Sequence, residues 1–255
     1  MINDNKIALS IITATKNCVG TLPDCLTSIL HQDYKNYEHI IIDGASTDGT
    51  IDVLSQHLDH ISVFKSESDK GIYDALNKGI KLSTGDVIGF LHSDDFYAST
   101  DVLTRIARAF EDQSVCAIYG DLEYVNKEDK SKTIRRWRSK KFSKKDLYWG
   151  WMPPHPTLYV RRDWFLRNGN FDTSYRISAD YLCILKLFLH KDFKAIYLPH
   201  VLVKMRLGGL SNKSLISIIK KSSEDWRALR SCNFSLTHAL FAITCKNLSK
   251  LGQFI

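Results

Sequence analysis

Between residues 8 and 119 the chain alternates short β-branched runs with segments whose apolar residues recur every three or four positions. No other feature restricts the possible folds as strongly. Residues 8–13 read as a strand, and Leu22, Leu26, Ile29 and Leu30 follow at helical spacing. Next come a strand at 39–42, a helix at 50–57, a short strand at 61–65, a helix at 72–82 and a strand at 87–91. A helix at 102–110 then leads into a strand at 116–119. Strands separated by helices of about ten residues make βαβ units, so a mainly parallel sheet covered on both faces is expected. In such a sheet the functional loops lie at the carboxyl ends of the strands.

Three informative loops fall at those ends: "ATKN" at 14–17, "DGASTDGT" at 43–50 and "HSDD" at 92–95. If their strands are neighbours, acidic and hydroxyl groups converge on one crevice. The first loop lacks the glycines of GxGxxG that let a dinucleotide pyrophosphate approach the backbone, which disfavours a dehydrogenase. A GxxxxGK[ST] loop is absent as well, which disfavours a P-loop kinase or ATPase. The adjacent Asp94 and Asp95 offer another way to hold phosphate, because Mg²⁺ or Mn²⁺ bridges one or two carboxylates to phosphate oxygens. Ser and Asp at a strand end equally suit a turn or a helix cap, and the stretch alone does not decide.

The second half is less regular. It holds a Trp/Pro-rich segment "YWGWMPPHPTLY" at 148–159, a helical pattern at 178–190, a strand at 194–198 and the glycine loop "RLGGLS" at 206–211. The tail at 214–254 places apolar and basic residues at helical spacing. With 255 residues, 44% hydrophobic and 25% charged, the chain suits one large domain, or one domain with a small appendage. The apolar run at 236–245 is interrupted by Thr237 and His238, too short for a membrane span. The N-terminus has neither the basic start nor the cleavage site of a signal peptide, so a cytoplasmic protein is expected. Six cysteines without CxxC or metal-ligand spacing read as reduced core thiols. The net charge of +7 is concentrated at 127–145, where ten Lys and Arg residues face only Glu128 and Asp129. Such a block suits phosphate, an acidic membrane surface or nucleic acid, and equally an ordinary solvated loop or edge hairpin.

Four stretches, "IIIDGASTDGT", "DKGIYDALNKGI", "GDVIGFLHSDD" and "ISADYLCILKL", occur in an order and spacing that resembles the family 2 glycosyltransferases of GT-A fold. The resemblance runs from about residue 7 to 211 and looks most like bacterial members that build lipid-linked polysaccharide repeat units, among them those of O-antigen, lipopolysaccharide and exopolysaccharide. It implies an α/β Rossmann-like GT-A domain at 1–211 with a mixed, mainly parallel sheet and helices on both faces, its nucleotide-sugar half at about 1–125 and its acceptor half at about 126–211. A helical, membrane-associating extension at 212–255 would follow.

What the resemblance implies for single residues can be read position by position. Asp43 would hydrogen-bond the uracil or ribose of a nucleotide sugar, and Thr13, Thr15 and Asn17 would line the same pocket. Ser46, Asp48, Asp69, Lys70, Gly71, Tyr73, Asn77, Ser93 and Asp95 fall on the donor side. Asp94 matches the metal-binding Asp of the DxD element, for Mn²⁺ or Mg²⁺, whereas His92 stands where the first Asp of that element is usual. Asp180 matches the general base, and one base opposite the leaving group implies inversion at the anomeric carbon. His155 would lie near the acceptor, Trp151 and Trp149 would stack on a sugar or simply pack in the core, and Arg206 in the glycine loop would close over the diphosphate.

The expected activity is transfer of a hexose or N-acetylhexosamine from a nucleotide diphosphate sugar, UDP-linked, to a saccharide on polyprenyl diphosphate. The expected place is the cytoplasm, peripheral at the inner membrane, held by its anionic inner leaflet through the basic block and the tail. Nucleic acid is not an expected partner. A nucleotidyltransferase would share sheet, nucleotide and metal but want a basic activating signature near the first strand. A non-catalytic membrane-docking scaffold of the same fold would need no Asp43, Asp94 and Asp180 set.

Overall fold

The computed structural model describes residues 6–168, 170–207 and 215–248, without the side chains of 215–218. The "GGLS" part of the glycine loop, with Gly208 and Gly209, lies outside the described residues. Strands β1 (Leu9–Thr15), β2 (Tyr37–Asp43) and β4 (Val87–Phe90) are the apolar runs of the first half, and β3 (Val63–Ser66) extends them at one edge. They pair in parallel in the order β3-β2-β1-β4, with Thr15 opposite Asp43 and Ile12 opposite Phe90. Successive residues of β1 face opposite sides, so Leu9 and Ile11 join one apolar cluster while Ile12 joins the other. A strand buried on both faces reads as a continuous apolar run, which is why β1 and β4 are legible in the sequence.

Helices cover both faces. On one side α1 (Leu22–Leu30) and α4 (Val102–Ala109) pack Cys25, Ile29, Val102, Leu103 and Ile106 against Leu9 and Ile11. On the other, α3 (Ile72–Leu82) buries Ala75, Leu76 and Ile80 at helical spacing. Its Gly79 has no room for a side chain, because a Cβ there would stand 2.4 Å from Ile12 Cγ2. The short α2 (Thr50–Ser55) closes the loop after β2.

Beyond β4 the sheet is mixed, as the resemblance implies. β8 (Tyr159–Arg161) runs antiparallel between β4 and β6 (Ala117–Val125), β6 pairs in parallel with β9 (Ala195–Arg206), and β5 (Asp95–Tyr97) returns antiparallel on β9. The strands at 116–119 and 194–198 are thus both longer than the sequence pattern suggests. Gly120 and Pro199 interrupt the pattern, yet both sit where the β6–β9 register slips, between Tyr119/Tyr197 and Asp121/Val201. A bulge tolerates proline where a regular ladder does not. The basic block forms the hairpin of β6 with β7 (Thr133–Trp137), one of the alternatives its composition leaves open.

The remaining helices, α5 (Lys144–Tyr148), α6 (Arg162–Asn168), α7 (Ala179–Leu189), α8 (Leu215–Ser231) and α9 (Leu236–Leu248), gather on the α3 face. Ala228, Leu229, Phe234, Ala239 and Ala242 lie in the same core cluster as Leu182, Leu185 and Phe188 of α7. The two C-terminal helices therefore share the main core. Gly150 (φ +70°) meets α9 so closely that a Cβ would be 2.0 Å from the Ala242 carbonyl oxygen. Trp149 lies against Phe241 with ring centroids 4.9 Å apart and is 60% exposed, so it serves as a seat for α9 and does not reach the crevice. Among the described residues no helix is long and apolar enough to cross a membrane.

Candidate active site

The carboxyl ends of β1, β2 and β4 open into one cavity of about 1530 Å³ that extends to α7, α8 and α9. That exceeds the roughly 300–1,000 Å³ of a site for one small ligand, leaving volume for two reactants.

At the β1 end, Thr15 donates to Asp43 Oδ1 at 2.9 Å, as their pairing across the ladder requires. Asp43 also accepts from the Ser46 hydroxyl (2.5 Å), the Ser46 amide (2.9 Å) and the Ser66 hydroxyl (2.7 Å). Burial acts to raise its pKa, but the bonds from Ser46, Ser66 and Thr15 hold the carboxylate below its usual range. With four donors on two fully buried oxygens, Asp43 stands behind the cavity wall and shapes it through Thr15 and the 43–46 turn. The next loop is clamped the same way: the Asn17 amide donates to Ser46 Oγ at 2.9 Å, Asn17 Oδ1 accepts from the Thr47 amide at 2.8 Å, and Asp48 accepts from the Val19 amide at 3.1 Å. Thr15, Asn17, Asp48, Asp69 and Gly71 line the cavity. Lys70 is exposed beside it, its amide donating to Asp74 at 3.2 Å.

Two residues expected on the donor side are engaged elsewhere. Thr13 is fully buried with its hydroxyl 3.0 Å from Nε2 of His39, a ring that burial pushes down to about 3. Asn77 joins α3 to the segment before α7, donating to the Phe171 carbonyl at 2.8 Å and accepting from the Phe171 amide at 2.9 Å.

The "HSDD" stretch divides sharply. His92, Ser93 and Asp94 line the cavity, whereas Asp95, the first residue of β5, is fully buried and neither carboxylate oxygen has a hydrogen-bond partner. Burial, reinforced by the neighbouring Asp94 charge, pushes the Asp95 pKa well above the carboxylate range. It faces the interior and not the donor pocket. Arg206 ends strand β9 and is almost fully buried; it donates to the Asp94 carbonyl at 2.7 Å, pairs with Asp24 and covers the Phe96 ring. It thus lines the cavity from strand β9, beneath the loop of Asp94. The Asp94 carboxylate itself makes no hydrogen bond or ion pair within the described residues and faces the cavity. Among those residues no three His, Cys, Asp or Glu side chains assemble as a metal centre. One free carboxylate nonetheless suits Mg²⁺ or Mn²⁺, which take most of their ligands from substrate phosphate and water.

Asp180, also on the cavity wall, occupies the first turn of α7. The Tyr73 hydroxyl lies 2.7 Å from the Ile177 carbonyl and 3.1 Å from Asp180 Oδ1, and His155 Nδ1 lies 3.3 Å from Asp180 Oδ2. Burial pushes His155 down to about 4, so at neutral pH the ring that meets the carboxylate is uncharged. Burial works against the Asp180 charge, yet His155, Lys221 and Lys246 together hold its pKa below the usual range. His155 is presented by the rigid Pro153-Pro154 turn, its ring 5.8 Å from that of His92. Trp151 lines the cavity with one edge while packing on Phe142 and Tyr119 at 5.4 and 5.6 Å.

The sequence pattern does not reveal the contribution of α8 and α9. Lys221, Asp225 and Lys246 line the cavity, and Glu224 accepts from the amides of Arg176, Ile177 and Ser178 at 3.0, 2.9 and 2.9 Å. A signal is present, since Lys221, Glu224, Asp225 and Ala228 share one helical face by their spacing. Nothing in the sequence says which element that face meets. Of the basic block, Lys127, Lys130, Arg135, Arg138 and Lys140 line the cavity, with Lys130 paired to Asp24 at 2.7 Å.

Residues 10–168 match the family model described as Glycosyl transferase family 2. The "PGL/p-HBAD biosynthesis glycosyltransferase" of Mycobacterium tuberculosis is 32% identical over 209 residues, covering 80% of this chain and 78% of that protein. The "UDP-Glc:alpha-D-GlcNAc-diphosphoundecaprenol beta-1,3-glucosyltransferase WfaP" of Escherichia coli is 39% identical over 99 residues, 38% of this chain and 39% of that protein. Among solved structures, S. aureus TarS 1-349 in complex with UDP-GlcNAc has a TM-score of 0.73 at 16% identity, covering 94% of this chain and 72% of that one. The mannosyltransferase PcManGT from Pyrobaculum calidifontis, in complex with GDP-Man and Mn²⁺, has a TM-score of 0.68 at 18% identity, covering 98% of this chain and 73% of that one. Identities this low speak to the fold alone.

Proposed function

The chain belongs to glycosyl transferase family 2, and from that premise we propose that it moves a hexose or N-acetylhexosamine, with inversion, from a UDP-sugar to a lipid-linked saccharide of bacterial cell-surface polysaccharide. The observation that carries this reading is the pairing of two different carboxylates in one cavity. Asp94 is unengaged at the donor end, and Asp180 is oriented by Tyr73 and His155 at the other. The E. coli relative named for a UDP-glucose donor and a diphosphoundecaprenol-linked acceptor supports the choice of substrates.

In this reading the loops of Thr15, Asn17 and Asp48 hold the nucleotide, with Asp43 keeping them in place. Asp94 would ligate Mn²⁺ or Mg²⁺, which when bound offsets the charge that develops on the departing diphosphate. The Mn²⁺ bound with GDP-Man in the mannosyltransferase of like fold agrees with that choice. Asp180, ionised at neutral pH, takes the proton of the acceptor hydroxyl as its oxygen bonds to the anomeric carbon and the bond to the β-phosphate oxygen breaks. Tyr73 and the neutral His155 keep the carboxylate aimed at that hydroxyl. A peripheral position at the inner leaflet accords with the exposed Leu236, Leu240, Phe241 and Leu248 of α9 beside Trp149.

The direct experiment screens nucleotide sugars against a synthetic diphosphate-lipid monosaccharide. The anomeric configuration of the product is then read by NMR. A glycosidic product of inverted configuration, made from a UDP-sugar and lost with EDTA, is the expected result. A retained configuration, or nucleotide transfer in place of sugar transfer, contradicts the reading.

A further inference from the structure

Past Asp180 the cavity wall becomes basic, and the residues responsible come from the C-terminal helices and the loop that they hold. Arg176, Lys221 and Lys246 all line it. Lys246 is buried, paired to Asp225 at 2.9 Å, and its ammonium lies 3.3 Å over the Tyr181 ring. The side chains of Lys221 and Arg176 make no hydrogen bond or ion pair within the described residues. Asp225 is committed to Lys246, and Asp180 to Tyr73 and His155. Two cations therefore face the cavity without a bonded counter-charge.

The backbone that carries them is held in place. Glu224, one turn after Lys221, gathers the amides of Arg176, Ile177 and Ser178, so Lys221 and Arg176 are indexed to one another and to the start of α7. Gly150 seats α9 by backbone contact, which fixes Lys246 behind them. Cations beside a general base weaken its affinity for a proton, so they do not assist the proton transfer itself. In the proposed function the donor diphosphate would be held from Asp94 through a divalent cation, on the other side of the His92–His155 contact. The remaining anion that these cations suit is one carried by the acceptor, and charge-assisted bonds from Arg and Lys are the usual means of holding phosphate.

We propose that Lys221 and Arg176, backed by the Lys246–Asp225 pair, form a phosphate-binding subsite for the acceptor, so that the acceptor is a saccharide bearing a phosphate or diphosphate at its reducing end. The subsite rests on the reading of Asp180 as the base and deepens it by naming the acceptor's charged group. It also gives α8 and α9, which lie outside the matched span 10–168, a part in substrate choice.

Two measurements test it. In the first, transfer to a phenoxyundecyl-diphosphate monosaccharide is compared with transfer to the same sugar as an uncharged phenoxyundecyl glycoside. The ratio of their kcat/KM values cancels any change in the base that both acceptors feel. Lys221→Gln and Arg176→Gln should each lower that ratio roughly tenfold, the loss of one charge-assisted bond, while Lys221→Arg restores most of it. A ratio unchanged within about twofold overturns the subsite and leaves the transfer reading standing. In the second, farnesyl diphosphate is titrated calorimetrically into protein saturated with UDP and Mn²⁺. Binding that weakens roughly tenfold in Lys221→Gln supports the subsite even if no sugar is transferred to either acceptor, an outcome that would overturn only the transfer reading. Equal binding to wild type and variant, or equal binding of the variants to anionic liposomes and to farnesyl diphosphate, assigns the phosphate affinity to another surface and overturns the subsite.

Discussion

The Tyr73 hydroxyl lies 3.1 Å from Asp180 Oδ1, joining α3, which borders the donor loops, to the first turn of α7 at the acceptor end. Burial raises the Tyr73 pKa, so the hydroxyl keeps its proton and acts as a donor throughout the working pH range.

Tyr73→Phe removes that contact together with the one to the Ile177 carbonyl, without changing the packing of the ring on Phe171. A hydrogen bond to a charged group is worth roughly 1.5–3 kcal/mol, so kcat should fall roughly 10- to 100-fold. The KM for the nucleotide sugar should change little. Steady-state kinetics with the donor varied will separate the two, and a change in donor KM alone would assign Tyr73 to donor binding.

The pH profile of kcat follows from the state of the two partners at the base. His155 titrates near 4 and Asp180 below its ordinary range, so neither changes charge between about pH 5 and 8. A base must be deprotonated to act, so the rate is retained at neutral pH and lost as the pH falls through the Asp180 pKa. A step near pH 6–7 that disappears in His155→Gln would show a charged imidazole instead.

Asp43 supports the donor loops from behind, and its loss is expected to cost stability before it costs affinity. Asp43→Ala leaves the Thr15, Ser46 and Ser66 donors without their acceptor, a penalty of roughly 3 kcal/mol or more. Its folded pKa is depressed, so its contribution is complete above the unfolded value near 3.9 and is lost as the pH falls toward the folded one. Urea titrations at pH 7 and pH 3 should show a smaller difference between wild type and variant at the lower pH.

Glu224 accepts from three amides of the loop that leads to Asp180, and its loss should reach the acceptor side of the proposed reaction. Glu224→Ala frees three amides of the loop leading to Asp180, and the melting temperature should drop by roughly 5 °C, corresponding to about 2 kcal/mol. The acceptor KM should rise as Arg176 and Lys221 lose their register. Differential scanning calorimetry beside acceptor kinetics reads both effects.

How far the sequence can be read follows the physics of each segment. β1, β4 and α3 are buried on fixed periods, and the helix expected at 72–82 is observed as Ile72–Leu82. Asp94 and Asp180 follow from a resemblance of ordered motifs, and the structure places both on the cavity wall. β5, β7 and β8 are not legible because strands of three to five residues that pair antiparallel at the far side of the sheet carry too little period to detect. Asp43, Thr13 and Asn77 take their expected roles from their position in motifs, but a motif does not say whether a polar side chain faces the ligand or its own backbone. Lys221 and Lys246 lie on helices whose pattern shows one packed face without showing what it packs on. Only the docking at Gly150 and Glu224 brings them to the cavity wall that Asp180 shares.

Asp180 is proposed as the base of a sugar transfer that begins with a separately bound donor. Asp180→Asn keeps the size of the side chain and the Tyr73 contact while removing proton affinity. With a radiolabelled UDP-sugar and a diphosphate-lipid acceptor, the variant should lose transfer by at least roughly 1,000-fold while UDP binding, measured by calorimetry, stays within about twofold of wild type. Transfer retained at a tenth of the wild-type rate or more, with UDP binding intact, would contradict the account.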